Sequence, residues 1–285
     1  MVAWRIQKVA DEGMSSPYYA RIWSGIAELR DSVLSAIVDS RILEAERYKF
    51  DEKWDPVLRD LDSARNIARN IPALITAHRV SVETGRIIRF QRNAFEISES
   101  IGEPLRSDFG HFLTVCARAA KDTQNVVKYF GPDIGFLFAS ERKFSAGVTK
   151  LESYGHKALT QFLRMTRKTW SEELRERRRV LEHTGWRLPD INYKKVGDSK
   201  ISMIEPELDG TPVSRYVLET FNRLASFVEN MVVYSFQCAL KTMGVGIAEI
   251  PVGERPTDYP KRFMLWHPIM NKSEWVLSYS EDNFL

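Results

Sequence analysis

The sequence predicts a mainly α-helical protein: an up-and-down helical bundle with a small β hairpin and a short β-containing C-terminal extension. Three observations predict this fold class. Apolar residues recur every three or four positions over five long segments, which is the period of an amphipathic helix. The connectors between these segments are short, as in bundles whose consecutive helices pack antiparallel. After Gly244 the chain becomes dense in Pro and Gly, a composition that favours turns and short strands.

Two helices are predicted in the N-terminal third. The first extends from Pro17 to about Phe50 and has its proline in the first turn, where a missing N–H leaves no helical hydrogen bond unmade. The second is expected to open at Asp55–Pro56. Pro72 should break or kink it, because an internal proline removes a backbone hydrogen bond and clashes with the preceding turn. The apolar pattern then resumes through Ile88.

The third and fourth helices are predicted in the middle of the chain. The third covers about 104–130 and is stopped by the Gly-Pro pair that follows. The fourth begins near residue 133 and extends to about 182, with a turn expected at Gly147 or Gly155. An isolated glycine lowers helix stability by about 1 kcal/mol, so either position is a weak point.

The fifth helix and the strands are predicted in the C-terminal part. The helix carries a strongly apolar face from 217 to 240, suited to a core or to a dimer interface. Alternating residues at 191–195 and 200–204 predict a hairpin around a Gly-Asp turn. Two further strands are expected at 262–266 and 275–279.

We therefore predict two parts of unequal size. Residues 1–244 form one helical bundle domain, which carries the hairpin at about 190–205. Residues 245–285 form a small β-containing extension packed on that bundle. A chain of 285 residues is long enough to bury a large core as one extended domain or as two unequal ones.

Charge is uneven along the chain. The formal net charge is +3, too small by itself to indicate a nucleic-acid-binding protein. Residues 141–200, however, hold 15 Lys and Arg against 8 Asp and Glu, an excess of seven positive charges. This local excess favours a polyanionic partner for that part of the molecule.

Cysteine usage and hydropathy indicate a cytoplasmic protein. Cys116 and Cys238 both fall in helical patterns and share no spacing with other metal-ligand types, so we expect buried reduced thiols. No apolar run approaches the roughly 18–20 residues that span a bilayer. Charged residues interrupt positions 1–14, which therefore lack the continuous apolar core of a signal peptide.

Several kinds of chemistry are disfavoured by the absence of their motifs. No two of the five histidines are three or four residues apart, and none follows a Glu at the spacing used in carboxylate metal sites. No P-loop, G-x-G-x-x-G or G-x-S-x-G segment is present. We therefore expect no metal and no cofactor. The histidines are His78, His111, His156, His183 and His267.

The segment RERRRVLEHTGW, from Arg175 to Trp186, gathers arginines and a histidine where the fourth helix should end. Gly185 lies where a C-cap glycine usually sits, so His183 falls in the last turn. Guanidinium groups bind phosphate, and histidine titrates near neutral pH. The segment suits phosphodiester chemistry. It equally suits a solvated helix end at which His183 is a C-terminal cation.

The element R-R-x-L-E-H at 178–183 resembles the Arg-x(4–6)-His motif of the higher-eukaryote-and-prokaryote nucleotide-binding (HEPN) superfamily. The resemblance covers the helices at about 133–183 and 211–243. It implies a homodimer of helical bundles in which Arg and His line a cleft at the interface and cut RNA without a metal. The implied catalytic residues are His183, Arg178 and Arg177. After the arginine, where the family often has Asn or Asp, this chain has Arg179.

In the catalytic interpretation, His183 is the general base on a ribose 2′-hydroxyl. Arg177 or Arg178 then neutralises charge on the phosphorane. On a continuing helix, residues five apart differ by about 140° around the axis, whereas residues four apart share a face. Helix phase thus favours Arg179 as the neighbour of His183. Arg178 becomes a partner only if the helix ends early and frees His183 from helical geometry.

A nucleic-acid-binding surface is predicted beside this element. Trp170, Trp186 and Tyr193 have two interpretations: stacking platforms for unpaired bases, or packing residues at the end of a bundle. A second Arg-x(4)-His pair, Arg106 and His111, is interpreted as structural, with the histidine in the core or half-buried. The predicted nucleic-acid-binding residues are Arg164, Arg167, Lys168, Arg175, Arg179 and Trp186.

The sequence therefore predicts a HEPN-like protein that binds single-stranded RNA and forms a homodimer. Metal-independent endoribonuclease activity is the stronger form of this hypothesis. The alternative is a non-catalytic helical adaptor or dimerisation protein, whose fifth helix and C-terminal strands dock an unknown protein or a second copy. A small-ligand-binding bundle is a third option, and no motif in the sequence supports it.

Overall fold

The computed structural model describes residues 16–91, 94–197, 200–267, 275–279 and 284–285. Over these residues the protein is mainly α-helical, with small two-stranded antiparallel sheets. The predicted fold class is therefore confirmed. The predicted absence of a signal peptide at 1–14 concerns a segment outside the described residues.

Helices account for most of the described chain. A π-helical stretch at Tyr19–Gly25 leads directly into the first α-helix. Another, at Arg167–Ser171, joins the fifth to the sixth. The α-helices are α1 at Ile26–Ile37, α2 at Leu43–Glu83, α3 at Gly102–Phe130, α4 at Glu141–Ser153, α5 at Lys157–Thr166, α6 at Glu172–His183 and α7 at Val213–Leu240.

The strands form four antiparallel pairs. The predicted hairpin is confirmed: its strands run in register, with Tyr193 opposite Met203. The pairs are β1 at Ile88–Phe90 with β2 at Phe95–Ile97, β3 at Asn192–Val196 with β4 at Lys200–Ile204, β5 at Glu207–Leu208 with β6 at Thr211–Pro212, and β7 at Gly246–Glu249 with β8 at Phe263–Trp266.

The C-terminal strands are only partly as predicted. The strand expected at 262–266 is confirmed as β8, but its partner is β7. The prediction of a strand at 275–279 is wrong, because these residues form no regular strand. Instead the Trp275 N–H donates a single hydrogen bond of 2.7 Å to the carbonyl of Ile247. An alternating apolar pattern thus marks residues that pack on β7 without pairing along it.

The N-terminal helices differ from the prediction in their boundaries. The chain leaves helical geometry at Val38, which is extended, and α2 begins only at Leu43. α2 then continues through both Pro56 and Pro72, so Pro72 does not break the helix, and a kink there stays a prediction. Buried side chains on both sides of the prolines, Trp54 and Ile75 among them, hold α2 in place. Tertiary packing here outweighs the loss of one backbone hydrogen bond at each proline.

The predicted fourth helix is divided. It begins at Glu141 rather than near 133, and the turn falls at Gly155, whose φ of +84° favours glycine. Gly147 lies inside α4 for another reason. A Cβ there would lie 2.2 Å from Cγ of Phe136, so glycine permits close packing of that ring.

The chain divides into two compact units, each built from separate stretches of sequence. The first unit comprises Met1–Leu61, Arg118–Glu173 and Asn222–Leu285, and the second comprises Asp62–Ala117 and Leu174–Phe221. Four helices, α2, α3, α6 and α7, contribute residues to both. The expected boundary between residues 244 and 245 stays a prediction.

The apolar face of α7 belongs to the core of the chain. Burial of this face within the chain removes it as the dimer surface that the adaptor hypothesis requires. Its fully buried members are Val217, Phe221, Leu224, Val228, Val232, Phe236 and Leu240.

A charged cluster lies inside the first unit on the same helix. Glu229 is fully buried and accepts hydrogen bonds from Arg21 and from Arg262, both 2% exposed. Arg262 also donates a hydrogen bond to Glu249 on β7, with 2.8 Å between Nε and Oε1. The Arg21 guanidinium also lies over the ring of Phe284, 4.3 Å from its centroid. The cluster therefore fixes four distant parts of the sequence to one point of the core.

Other findings concern membrane and metal chemistry. Of the helices that the structure describes, none is long and apolar enough to cross a membrane. Within the same residues, no group of three His, Cys, Asp or Glu side chains is placed to hold a metal ion. Both cysteines are free thiols; Cys116 is buried as expected, and Cys238 is half-buried.

Candidate nucleic-acid interface

Helix α6 is unbroken up to His183. The Thr184 N–H donates to the carbonyl of Val180 at 3.0 Å, and Gly185 then adopts a φ of +68°. This is the C-terminal geometry that a glycine after the last turn permits. His183 is therefore the last residue of a regular helix and is not released from helical geometry.

This helix geometry decides which arginine shares a face with His183. Arg178 precedes His183 by five residues and points about 140° away from it around the axis. Arg179 precedes it by four residues and lies on the same face. The condition that would bring Arg178 to His183 within one chain, an early end of α6, is not met.

Each of three arginines on α6 has a carboxylate partner. The Arg178 Nε donates to Glu182 Oε1 at 2.8 Å, and Arg179 donates to both oxygens of Glu176 at 2.9 and 2.5 Å. This second pair lowers the pKa of Glu176. With four arginines and four glutamates, α6 carries no net formal charge apart from its histidine.

Arg177 makes contacts outside its own helix. Its Nη2 donates to Asp209 Oδ2 at 2.7 Å, in the turn between β5 and β6. Its guanidinium also lies over the Tyr216 ring, 5.2 Å from the centroid. The side chain of Arg177 therefore supports the packing of the second unit, and its catalytic role stays a prediction without a geometric argument.

His183 is exposed at the end of α6. Among the described residues its ring has no hydrogen-bond partner. Glu176 and Arg179 share its face by helical spacing. The arrangement is that of a solvated helix end, at which a histidine can interact favourably with the helix dipole.

The chain after His183 is fixed to α3. The Trp186 ring is half-buried, 6.4 Å from the Phe109 ring between centroids. The Arg106 Nε donates to the carbonyl of Leu188 at 3.3 Å, and Arg106 also pairs with Asp190. The structural interpretation of Arg106 thus agrees with its contacts. His111, expected in the core or half-buried, is exposed instead.

Of the other predicted binding residues, Arg175 lies half-buried on α6 in the second unit, and Arg164, Arg167 and Lys168 belong to the first. Arg164 and Lys168 are exposed, and Arg164 pairs with Glu152 at 2.6 Å. Arg167, expected on the exposed side, is buried. It donates to the carbonyls of Leu137 and Ala139 at 3.2 and 3.0 Å.

The π-helical stretch explains the error at Arg167. That stretch begins at this residue, and its i→i+5 hydrogen bonds change which side chains face the core relative to a uniform α-helix. Arg167 also pairs with Glu172 at 2.7 Å and covers the Phe144 ring at 4.5 Å. A side chain engaged in this way is not available to phosphate.

Two of the three candidate stacking rings are engaged within the protein. Trp170 is 2% exposed, and its Nε1 donates to the Tyr279 hydroxyl at 2.7 Å. The Tyr193 hydroxyl hydrogen-bonds to Nε2 of His78 at 2.7 Å. Burial lowers the pKa of His78 and raises that of Tyr193. Burial therefore favours the packing interpretation for Trp170, and Tyr193 and Trp186 are both half-buried.

The positive charge of residues 141–200 is divided between the two units. Three of the seven excess charges fall in 141–173, in the first unit, and four in 174–200, in the second. In the second unit, Lys194 and Lys200 are exposed and face the same side of the β3–β4 hairpin. The sequence analysis missed these lysines, although strand alternation places them opposite the buried Ile201 and Met203.

Comparison with family models, with curated protein sequences and with solved structures found no match to this chain. The HEPN resemblance therefore stays a prediction, carried by the 178–183 element alone. What the geometry adds is specific: a regular helix end with an exposed His183, which shares its helix face with Arg179 and not with Arg178.

Proposed function

We propose that this protein binds single-stranded RNA through exposed cations of its second unit. The observation that carries the proposal is that the carboxylate partners of Arg178 and Arg179 are on α6 itself, three or four residues away. Such exposed helical pairs are worth only about 0.3–0.5 kcal/mol and are screened by salt. A phosphate can therefore replace either carboxylate at small cost.

Binding without cleavage is the form of the proposal that the helix favours. The metal-independent cut implied by the resemblance needs a guanidinium and an imidazole at one phosphate. Within a single α6, His183 and Arg178 point about 140° apart. Cleavage by the implied pair, Arg178 and His183, would therefore need the two residues from two copies, in the homodimer that the resemblance implies, and light scattering of the purified protein tests that assembly.

A cytoplasmic location is part of the same proposal. The two free thiols support it, because exported proteins more often oxidise their cysteines. RNA is also the abundant single-stranded polyanion of that compartment. Fractionation of cells that express the tagged protein would test the location.

Fluorescence anisotropy with a labelled single-stranded RNA tests the binding. Affinity should fall with salt, with a log–log slope near −0.7 for each phosphate neutralised. R178Q/R179Q should weaken binding about tenfold. The control R41Q removes an ion-paired arginine of the first unit that is more exposed than Arg178 or Arg179, and it should leave the affinity unchanged.

Two results would contradict the proposal. One is an affinity that does not depend on salt, or no binding at low salt, which would favour the adaptor alternative. The other is an equal loss in R41Q and R178Q/R179Q, because binding would then follow net charge and not this surface.

A further inference from the structure

A cavity of about 640 Å³ lies within the first unit. Its walls come from the turn between α4 and α5, the C-terminal end of α7, the start of β7, the end of β8 and residues 275–277. This volume lies within the range of pockets that hold small organic molecules and cofactors. Neither the RNA proposal nor the sequence motifs involve these residues.

Aromatic side chains dominate the walls of the cavity. Tyr154 and Trp266 contribute partly exposed rings, and Trp275 a buried one. Trp275 is held edge-on against Phe263, with centroids 5.3 Å apart at 77°. A pocket of this kind favours planar, apolar ligands, which gain contact area against several rings at once.

A series of hydrogen-bonded polar side chains lies along one side of the same cavity. Nδ1 of His156 and the Tyr234 hydroxyl are 2.8 Å apart, and the Tyr234 hydroxyl also hydrogen-bonds with the Cys238 thiol. Burial raises the pKa of Cys238 and of Tyr234, and it lowers the pKa of His156. All three groups are therefore neutral near pH 7, and none of them is an activated nucleophile.

The only formal charge on the described walls near neutral pH is that of Lys241, which is exposed. The described residues that line the cavity include no Asp, Glu or Arg. A ligand with one negative charge would thus meet an attractive cation and no repelling carboxylate, whereas a cation would meet Lys241 alone.

Trp275 contributes its ring to the wall of the cavity. It is 4% exposed, and among the described residues its indole Nε1 has no hydrogen-bond partner. That nitrogen has almost no accessible surface, so a molecule in the cavity contacts the ring and not the N–H.

We propose that this cavity binds a small planar aromatic monoanion, an aromatic carboxylate in the simplest case. The ring lies among Tyr154, Trp266 and Trp275, and the carboxylate pairs with Lys241. The chemistry is recognition only, because the described side chains that line the cavity include no ionised nucleophile or base.

Calorimetric titration of the full chain with 2-naphthoate and with neutral 2-naphthamide tests the proposal. The two probes have nearly the same shape and differ in charge. We expect 2-naphthoate to bind about tenfold more tightly, since a charge-assisted hydrogen bond is about twice as strong as a neutral one. Equal affinities, or no binding of either probe, would overturn the proposal.

Variants then identify the groups. Lys241→Met should remove the preference for 2-naphthoate, whereas Lys157→Met, an exposed lysine beside the cavity residues His156 and Ala158 but outside the walls, should keep it. Equal losses in both lysine variants would indicate a general field effect and would overturn the site.

Failure of this proposal is distinguishable from failure of RNA binding. The cavity residues all belong to the first unit, whereas Arg178 and Arg179 belong to the second. R178Q/R179Q should therefore bind 2-naphthoate like the unaltered protein. Loss of naphthoate binding in that variant would contradict the assignment of the ligand to this cavity.

Discussion

Arg21 and Glu229 form a two-point ion pair inside the core of the first unit. Nε of Arg21 lies 2.8 Å from Oε1 of Glu229, and Nη2 lies 2.5 Å from Oε2. Arg262 donates to the same carboxylate at 3.0 Å, so one glutamate neutralises parts of two buried guanidinium groups. Burial of charges is costly unless every partner is present, and this makes Glu229 a critical residue for stability.

Glu229→Gln should destabilise the protein strongly. The amide keeps the shape but leaves two buried cations without their shared anion, a change that typically costs roughly 3–5 kcal/mol. The free energy of unfolding, from urea titration, measures it. Glu219→Gln is the matched control, since Glu219 pairs with exposed Arg215 on the same helix and should change stability by less than about 0.5 kcal/mol. Similar effects of the two variants would contradict the role of the buried cluster.

The same carboxylate should contribute to acid unfolding. Burial alone would raise the pKa of Glu229, but Arg21 and Arg262 outweigh it and hold the pKa below its ordinary value of 4.5. The unfolded state then binds a proton more readily than the folded state. The stability contributed by Glu229 is therefore full above about pH 4.5 and is lost as the pH falls through the folded pKa.

Urea midpoints measured between pH 7 and pH 3 test this pH dependence. Glu229→Gln lacks the titrating carboxyl, so the stability that this group loses in acid should not be lost in the variant. Its urea midpoint should therefore fall less steeply below pH 4.5 than that of the unaltered protein. Profiles of identical slope would show that other carboxylates account for the acid sensitivity.

Much of this fold was predictable because long helices with one apolar face leave a clear period in the sequence. The boundaries of α3 and α7 and the β3–β4 hairpin followed from that period and from turn residues. The continuity of α2 did not, because local rules penalise Pro72 while the packing that compensates for it is tertiary. The pairing of β8 with β7 was likewise not predictable, because the residue pattern of a strand does not indicate which other strand it pairs with.

His78 and Tyr193 provide a test of the second unit. Tyr193→Phe removes the hydroxyl that hydrogen-bonds Nε2 of His78 and should cost about 1 kcal/mol. Tyr48→Phe, at a position 65% exposed, should cost almost nothing. Urea unfolding of both variants measures the difference. An equal, negligible effect would mean that the hydroxyl–imidazole contact contributes no net stability.

The same histidine should make stability depend on pH near neutrality. Burial lowers the pKa of His78 below its ordinary value of 6.5, so the unfolded state takes up a proton first as the pH falls. The contribution of neutral His78 is present above about pH 6.5 and is lost as the pH falls towards the folded pKa. An NMR titration of the His78 ring should give a midpoint below 6.5, and a midpoint above it would contradict the effect of burial.

Arg167 and Lys168 are adjacent in sequence and should respond differently to the same change. Arg167→Gln leaves two carbonyl groups without their donor and should cost roughly 1–3 kcal/mol. Lys168→Gln alters an exposed side chain and should change stability by less than about 0.5 kcal/mol. Thermal unfolding of the two variants makes the comparison. A larger effect at Lys168 would contradict the buried position of Arg167.

The candidate site was less predictable than the fold. Sequence spacing identified the end of α6 and its glycine, but not the partner of each arginine, because Asp209 and Tyr216 reach Arg177 from a later segment. The π-helical stretch before α6 was also invisible to a uniform helical period, and this reversed the exposure of Arg167. Motif spacing therefore located a surface, while the direction of each side chain depended on contacts made elsewhere in the chain.

The last prediction separates RNA binding from RNA cleavage at His183. His183→Ala should bind single-stranded RNA nearly as well as the unaltered protein, because Arg178 and Arg179 remain and supply the pairing with phosphate. Neither protein should cut the RNA in EDTA, since α6 places Arg178 about 140° from His183 within one chain, and Arg179, on the face of His183, is paired with Glu176. A cut that leaves a 2′,3′-cyclic phosphate, fails on a 2′-deoxy substrate and disappears in His183→Ala would instead establish the catalytic interpretation. Arg178→Ala and Arg179→Ala would then show which guanidinium acts: loss of cleavage in Arg179→Ala alone points to the shared helix face, and loss in Arg178→Ala points to a residue supplied by a second copy.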